Sequence, residues 1–279
     1  MGANHVAARF AFAHGVDVTT AIAFRSSVTA AVVGLILWQA KVPFTLSSKH
    51  PRALLAVGFL IAIQSYCLYS AVARIPVALA LLGFNTYPLW IALWARVIYK
   101  HQPERVVLRA MPIMLMGLAL ALDVLGASSG LGAQAQWAEM GEGVFFALAA
   151  AALFAIAMVL TQHEAGDLDG RLRTFSTMVC VAILAWWVIA AQTGLHLPDA
   201  MEGWWGLCML SFFYGTGFTI MFTVLPRLGV VGNSAIMNVE PVFALILAWI
   251  LLNQSIAVTQ VIGALVVVST VMYLGLRKK

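Results

Sequence analysis

Ten apolar runs separated by short polar connections constrain this 279-residue chain more than any other feature. They cover residues 2–13, 18–38, 53–73, 77–98, 106–125, 143–161, 174–191, 204–225, 230–252 and 256–276. A helix rises 1.5 Å per residue, so about 20 apolar residues cross a hydrocarbon core of ~30 Å. The later runs have about that length. The first is too short to cross unaided, so the numbered chain is expected to start inside its first helix, a short half-span being the alternative. Composition agrees: 62% of residues are apolar and 10% are charged, against about 25% charged in ordinary soluble domains. That much apolar surface cannot be hidden in a water-soluble protein of this size. A soluble enzyme, a disordered tail and a secreted disulfide scaffold are all excluded. The expected fold is an all-α integral membrane protein of ten transmembrane helices, with the lipid bilayer as its solvent.

The formal charge of +5 does not point to nucleic acid, because the basic residues are dispersed over short loops without aromatic interleaving. Their distribution instead sets an orientation. Thirteen of the sixteen Lys and Arg fall in segments 41–52, 96–109, 171–173, 227 and 277–279, all on one side of the ten-span reading. Arg9, Arg25 and Arg74 remain on the other side, with Asp17, Asp123, Glu139, Glu142, Asp199 and Glu202. The positive-inside rule then puts both termini in the cytoplasm, in a cell (inner) membrane. No positive n-region precedes the first run, so no signal peptide is read. Cys67, Cys180 and Cys208 lie inside apolar runs and lack metal or disulfide spacing, so they read as inert core residues. No cofactor and no metal is expected.

Shifted against itself by about 152–153 residues, the chain aligns Arg74 with Arg227, Asn85 with Asn238 and Pro88 with Pro241. The shared unit is Asn-x-x-Pro, in the fourth and the ninth run. The expected organisation is a five-helix repeat over 1–125, an outer loop over 126–140 and a second five-helix repeat over 141–279. An odd number of spans per repeat makes the second half enter the membrane inverted. That is an architecture of secondary transporters, which bind substrate near the midplane between their halves. Pro88 and Pro241 cannot donate to the carbonyls of Phe84 and Met237, so both are expected to be hinges whose freed acceptors face protein or a wet cavity. Asn85 and Asn238 either line that pathway or merely cap the breaks.

Few polar residues occur within the runs. Glu240 is the one carboxylate near mid-membrane, where an acid costs about 2.5–3.5 kcal/mol. It reads either as a proton-exchanging group or as a protonated, hydrogen-bonded helix tie. His5 could titrate near neutral pH or simply pack beside Asn4. Gln64 could bind ligand or bridge helices. Arg9 and Arg25 read as snorkelling to the outer interface, Arg25 alternatively lining an outer vestibule. Tyr66, Tyr87, Trp90 and Tyr214 lie deeper than an interfacial aromatic belt and suit either a cavity that stacks flat solutes or ordinary core filling. Gly215-Thr216-Gly217 permits close helix approach or local flexing. His163-Glu164 lacks the second histidine of a zinc-protease motif and reads as a solvated turn.

Glu240-Pro241-Val242-Phe243-Ala244, continuing to Ala248-Trp249, is similar to the ninth-helix pattern of the drug/metabolite transporter superfamily, specifically its EamA-type ten-helix exporters. Pro88-Leu89-Trp90-Ile91-Ala92 resembles the matching fourth-helix pattern, and Gly2-Ala3-Asn4-His5-Val6-Ala7 the first-helix one. Members often carry Gly-Glu just after helices four and nine, where this chain has Lys100-His101 and Asn253-Gln254. The aromatic segments around Tyr66–Tyr69 and 84–90 look most like aromatic amino-acid exporters of the YddG type. The resemblance implies a non-enzymatic secondary transporter that exports amino acids, aromatic or amphiphilic ones favoured, or similar small metabolites, by alternating access. Tyr66, Tyr87, Trp90 and Tyr214 would meet the solute's apolar part. Asn85, Asn238 and Gln64 would meet its polar end, with Glu240 and His5 as groups for proton coupling. Nucleotide-sugar, sugar-phosphate or drug carriage is the alternative within the superfamily. The apparent lack of a midplane basic residue counts against anionic cargo. A membrane-embedded enzyme would need a nucleophile–base or metal constellation, which the sequence does not offer.

Overall fold

The computed structural model describes residues 2–42, 47, 50–100, 105–121, 133–228, 247, 250 and 257–276. The described residues are helical, with short turns. The helices are α1 (Gly2–Phe12), α2 (Val18–Gln39), α3 (His50–Arg74), α4 (Val77–Phe84), α5 (Tyr87–Tyr99), α6 (Arg105–Ala121), α7 (Ala133–Glu164), α8 (Gly170–Val188), α9 (Met201–Leu228) and α10 (Val258–Leu276). A single π turn, Ile189–Thr193, closes α8 and ends at Gly194. Most of the ninth apolar run, with Asn238, Glu240 and Pro241, lies outside the described residues.

Local chemistry accounts for the helix ends. The Asp17 carboxylate accepts from the backbone N–H groups of Thr19 and Thr20 (3.2 and 3.0 Å) and caps α2. Asp169 caps α8 in the same way through the Arg171 N–H (2.8 Å). The two caps stand 152 residues apart, at the repeat offset. Lys100 ends α5 with φ +55°, a left-handed conformation that normally goes to glycine. α7 begins ten residues before the apolar run that announces it, inside the segment read as a loop, where Gln134, Gln136 and Glu139 interrupt the apolar residues.

The fourth span is two helices, broken at Asn85–Thr86 rather than at the proline. Pro88 is the second residue of α5, where its missing N–H costs nothing. The break therefore has to precede it. Side chains reinforce the last turn of α4: Asn85 Nδ2 donates to the Leu81 carbonyl and Thr86 Oγ1 to that of Gly83, each at 2.7 Å, beside the backbone N–H groups that the same carbonyls accept.

α3 packs along α7, α2 along α8, α6 along α10 and α1 along α9, with further contacts of α2 with α9 and of α3 with α8. Small residues allow the closest approaches. A Cβ on Gly206 of α9 would stand 2.8 Å from the Ala11 backbone nitrogen, and one on Gly263 of α10 would meet the backbone of Gly117 and Ala121. Gly215 has room, its nearest neighbour being Thr29 Oγ1 at 3.7 Å, so the tight crossing falls at Gly206 and not in the Gly-Thr-Gly segment. One core lies between α3, α4, α6, α7 and α10, and a second between α1, α2, α3, α8 and α9. α3 is the wall they share.

The helices are apolar outside and carry polar groups inside. Leu35, Phe59, Ile183, Trp187 and Phe212 are exposed, whereas Asn4, Arg25, Ser26, Thr29, Gln64 and Ser65 are buried. Lipid tolerates that outer surface and water does not. Among the described residues, four helices are long and apolar enough to cross a bilayer, over Val18–Gln39, His50–Arg74, Met140–Glu164 and Gly170–Ala191.

Candidate functional site

Arg25 is a charged side chain buried within the bundle. It sits seven residues, about 10 Å, into α2, and only 3% of its surface is exposed. This corrects the snorkelling expectation: the side chain turns into the bundle, not out to the interface. Its Nη2 donates to Ser65 Oγ on α3 at 2.7 Å. Its guanidinium carbon lies 3.8 Å from the ring centre of Tyr214 on α9 and 4.7 Å from that of Tyr69 on α3. The positive edge of the guanidinium is thus held between two aromatic faces, which stabilise a desolvated cation by about 0.5–2 kcal/mol each.

Tyr69 extends the cluster to α1. Its hydroxyl accepts from Asn4 Nδ2 at 3.3 Å, and its ring meets His5 at 5.5 Å, tilted, and Phe12 edge-on at 6.1 Å. Asn4 and Tyr69 are wholly inaccessible. Ser65 Oγ passes the chain on toward Gln64 Oε1 at 3.5 Å. The Tyr214 hydroxyl points at the sulfur of Met178 on α8, 3.9 Å away. Arg25 Nε and Asn4 Oδ1 are among the buried polar atoms that have no hydrogen-bond partner among the described residues. No carboxylate among the described residues pairs with Arg25. A buried basic group is therefore present about 10 Å into α2, where the sequence read one that snorkels.

The expected site residues divide between two places. Gln64 and Tyr214 join the Arg25 cluster, and His5 borders it. Tyr66 points to the other side of α3, 45% exposed and edge-on to Phe146 of α7 at 6.4 Å. Tyr87 packs against Phe84 (5.7 Å) and edge-on to Phe154 of α7 (5.3 Å), forming a second, aromatic strip with Trp90 half-buried one turn on. Asn85 lies at the break beside this strip with its amide donated to Leu81. Asn238, Glu240 and Pro241 are outside the described residues.

Sequence reasoning undervalued Arg25, Ser65, Tyr69 and Asn4. The available signal was the polar content of α2, where Thr19, Thr20, Arg25, Ser26 and Thr29 are all buried in an otherwise apolar helix.

Contacts join the helix ends on both sides of the bundle. On the side of the α1–α2 turn, the Asp199 N–H donates to the His14 carbonyl at 3.2 Å, and Arg74 pairs with Glu142 at 2.9 Å. Arg9 does not snorkel either: it donates to the Val72 carbonyl at 2.7 Å and to that of Ala73, tying α1 to the end of α3. On the opposite side His50 Nε2 meets the Asp167 carboxylate at 3.1 Å. His163 and Glu164 form the end of α7 rather than a solvated turn. The imidazole stacks on Tyr99 at 3.8 Å, and Glu164 accepts from the Tyr99 hydroxyl at 3.1 Å.

An apolar multi-pass helical bundle with a charged, aromatic-lined centre is a membrane protein built around a polar interior, the class to which carriers of small solutes belong. The chain belongs to the EamA-like transporter family, whose pattern matches residues 1–122 and again 141–276. It is thus a multi-pass membrane protein of a family of small-substrate transporters, not of enzymes. A protein known from its crystal structure shares the fold, with a TM-score of 0.60 and 19% identity over 99% of this chain and 92% of that one. No curated protein is significantly similar to the chain.

Proposed function

We propose that this chain is a secondary exporter of amino acids, aromatic or amphiphilic ones favoured, or of similar small metabolites, working by alternating access. Its two five-helix halves, 1–125 and 141–279, are inverted repeats joined by 126–140. Both termini face the cytoplasm across the inner membrane. The observation that carries the reading is the buried Arg25 cluster, built by helices of both halves.

The helix pairings support the repeat. Exchanging the halves turns α1 into α7, α2 into α8, α3 into α9 and α6 into α10. Under that exchange the α1–α9 contact becomes the α7–α3 contact, and the α2–α9 contact becomes the α8–α3 contact. The α2–α8 and α6–α10 pairs map onto themselves, and all of these contacts occur. The double match of one family pattern and the 152-residue spacing of the Asp17 and Asp169 caps support the same reading.

In this mechanism the solute's polar end meets the Arg25 cluster with Gln64 and Tyr214, and Tyr66, Tyr87 and Trp90 border its apolar path. Asn85–Pro88 and Asn238–Pro241 are the paired hinges, and Glu240 or His5 carries a coupled proton. Specificity of the YddG type follows from the aromatic strip. Carriage of sugar phosphates or nucleotide sugars gains from one observation, the buried Arg25, but a phosphate calls for more cations than this cluster offers.

The test is counterflow of a panel of labelled amino acids into proteoliposomes. Aromatic amino acids are expected to exchange, and Trp90→Ala or Tyr87→Ala to slow them. Absence of exchange for every amino acid overturns the proposal. A Glu240→Gln protein that keeps its full response to an imposed pH gradient removes Glu240 from the coupling.

A further inference from the structure

We infer that Arg25 and Asn4 form a charge-reading pair for a zwitterion, Arg25 Nε taking the carboxylate of the solute and Asn4 Oδ1 its ammonium group; this rests on the amino-acid reading above and deepens it. A guanidinium in the membrane interior costs several kcal/mol and persists where it is paired or does work. Here Ser65 and the two tyrosine rings occupy part of it, and the described helices supply no anion. Of its five N–H donors, Nε–H is buried and has no hydrogen-bond partner among the described residues. Leaving a buried charged donor unsatisfied is costly, and an incoming carboxylate removes that cost with a charge-assisted bond.

Asn4 presents the complementary want. Its Nδ2 is committed to Tyr69, while Oδ1, an acceptor, is buried without a donor. An ammonium group supplies donors and nothing else. Tyr69 links the two positions: its ring lies under the guanidinium and its hydroxyl holds the Asn4 amide. The donor and the acceptor thus both neighbour Tyr69, inside a site closed to solvent in this conformation. A cation such as a simple amine would meet Arg25 as a like charge, so the pair also rejects as well as selects.

The experiment is competition against labelled phenylalanine counterflow in proteoliposomes, with three competitors: 3-phenylpropionate, which lacks the amine, and phenylalaninamide and phenethylamine, which lack the carboxylate. In the wild-type protein the amide and the amine are expected to compete about tenfold or more worse than phenylalanine, the range set by losing one charge-assisted bond. 3-Phenylpropionate falls between phenylalanine and these two. Arg25→Met is expected to bring acid and amide to near parity. Asn4→Leu is expected to keep the preference for acid over amide while abolishing that for phenylalanine over 3-phenylpropionate. Equal competition by acid and amide in the wild-type protein overturns the pair and leaves the exporter reading intact. It needs no variant to fold. An Arg25→Met protein that retains the acid preference overturns it as well. Absence of phenylalanine counterflow, with every other amino acid also inert, overturns the exporter reading and the pair together.

Discussion

Replacing Arg25 by Met asks whether the guanidinium is kept for binding or for stability. The substitution removes the 2.7 Å bond to Ser65, about 1.5–3 kcal/mol for a hydrogen bond to a charged group. It also removes two cation–π contacts, about 0.5–2 kcal/mol each. Against these losses stands the relief of a buried charge, about 2.5–3.5 kcal/mol on insertion scales. The Met sulfur also makes its own contacts with the Tyr69 and Tyr214 rings, about 0.3–1.5 kcal/mol each. The opposing contributions cancel to within about 2 kcal/mol, the usual outcome when a buried ionic group is replaced by an apolar one of similar volume. At about 2–4 °C per kcal/mol, the melting midpoint should move by less than roughly 8 °C, while exchange of amino acids falls steeply. Fluorescence-detected size-exclusion after a heating series measures the first, and proteoliposome counterflow the second. A collapse of the monodisperse peak, or a larger fall of the midpoint, would refute the argument by making Arg25 a structural tie. Normal transport by a well-folded variant would refute it from the other side.

Three further perturbations probe the scaffold. Gly206→Ala should destabilise the bundle by about 1–3 kcal/mol, because its Cβ meets α1 backbone at 2.8 Å; Gly215→Ala, with 3.7 Å to its nearest neighbour, should be close to neutral in the same melting assay. Lys100→Gly should stabilise by about 0.5–1 kcal/mol, since φ +55° strains any residue with a Cβ; an unchanged or lowered midpoint would contradict this. Asp169→Ala should cost about 1 kcal/mol through the lost α8 cap. The hydrogen bond from Arg171 holds the Asp169 carboxyl below its ordinary value. The stabilisation is therefore complete above the ordinary carboxylate range, about 3.9, and is lost as pH falls through the folded value. Melting curves of the two proteins should converge on acidification and stay apart near neutrality.

What could be read in advance, and what could not, follows from the range over which each interaction acts. The span of α2 was legible almost to the residue, 18–38 against Val18–Gln39, because the need to cover the hydrocarbon core is written into every residue of the run. The start of α7 was not, since Gln134, Gln136 and Glu139 interrupt its first turns and leave no continuous apolar run there. Pro88 announced a break in the fourth span but not its place. A proline fits the first turn of a helix, so the chain must part upstream of it, and Asn85 and Thr86 are the side chains that bond back onto the last turn of α4. Arg25 was misread for a different reason. Seven residues from a helix end, a long basic side chain has the reach to snorkel, and nothing local to α2 says that it does not. The decision is made by Ser65, Tyr69 and Tyr214, which arrive from two other helices. Only tertiary packing brings them to one point. The Asp17 and Asp169 caps show the opposite limit: each is a local device, an acceptor side chain just ahead of its own helix that needs no partner from elsewhere in the chain. The scaffold of this transporter is thus specified by short-range patterns repeated along the chain. Its charged centre is specified by one residue whose meaning depends on three helices at once, and substitutions at Arg25 are therefore the sharpest probe of what the bundle is built to hold.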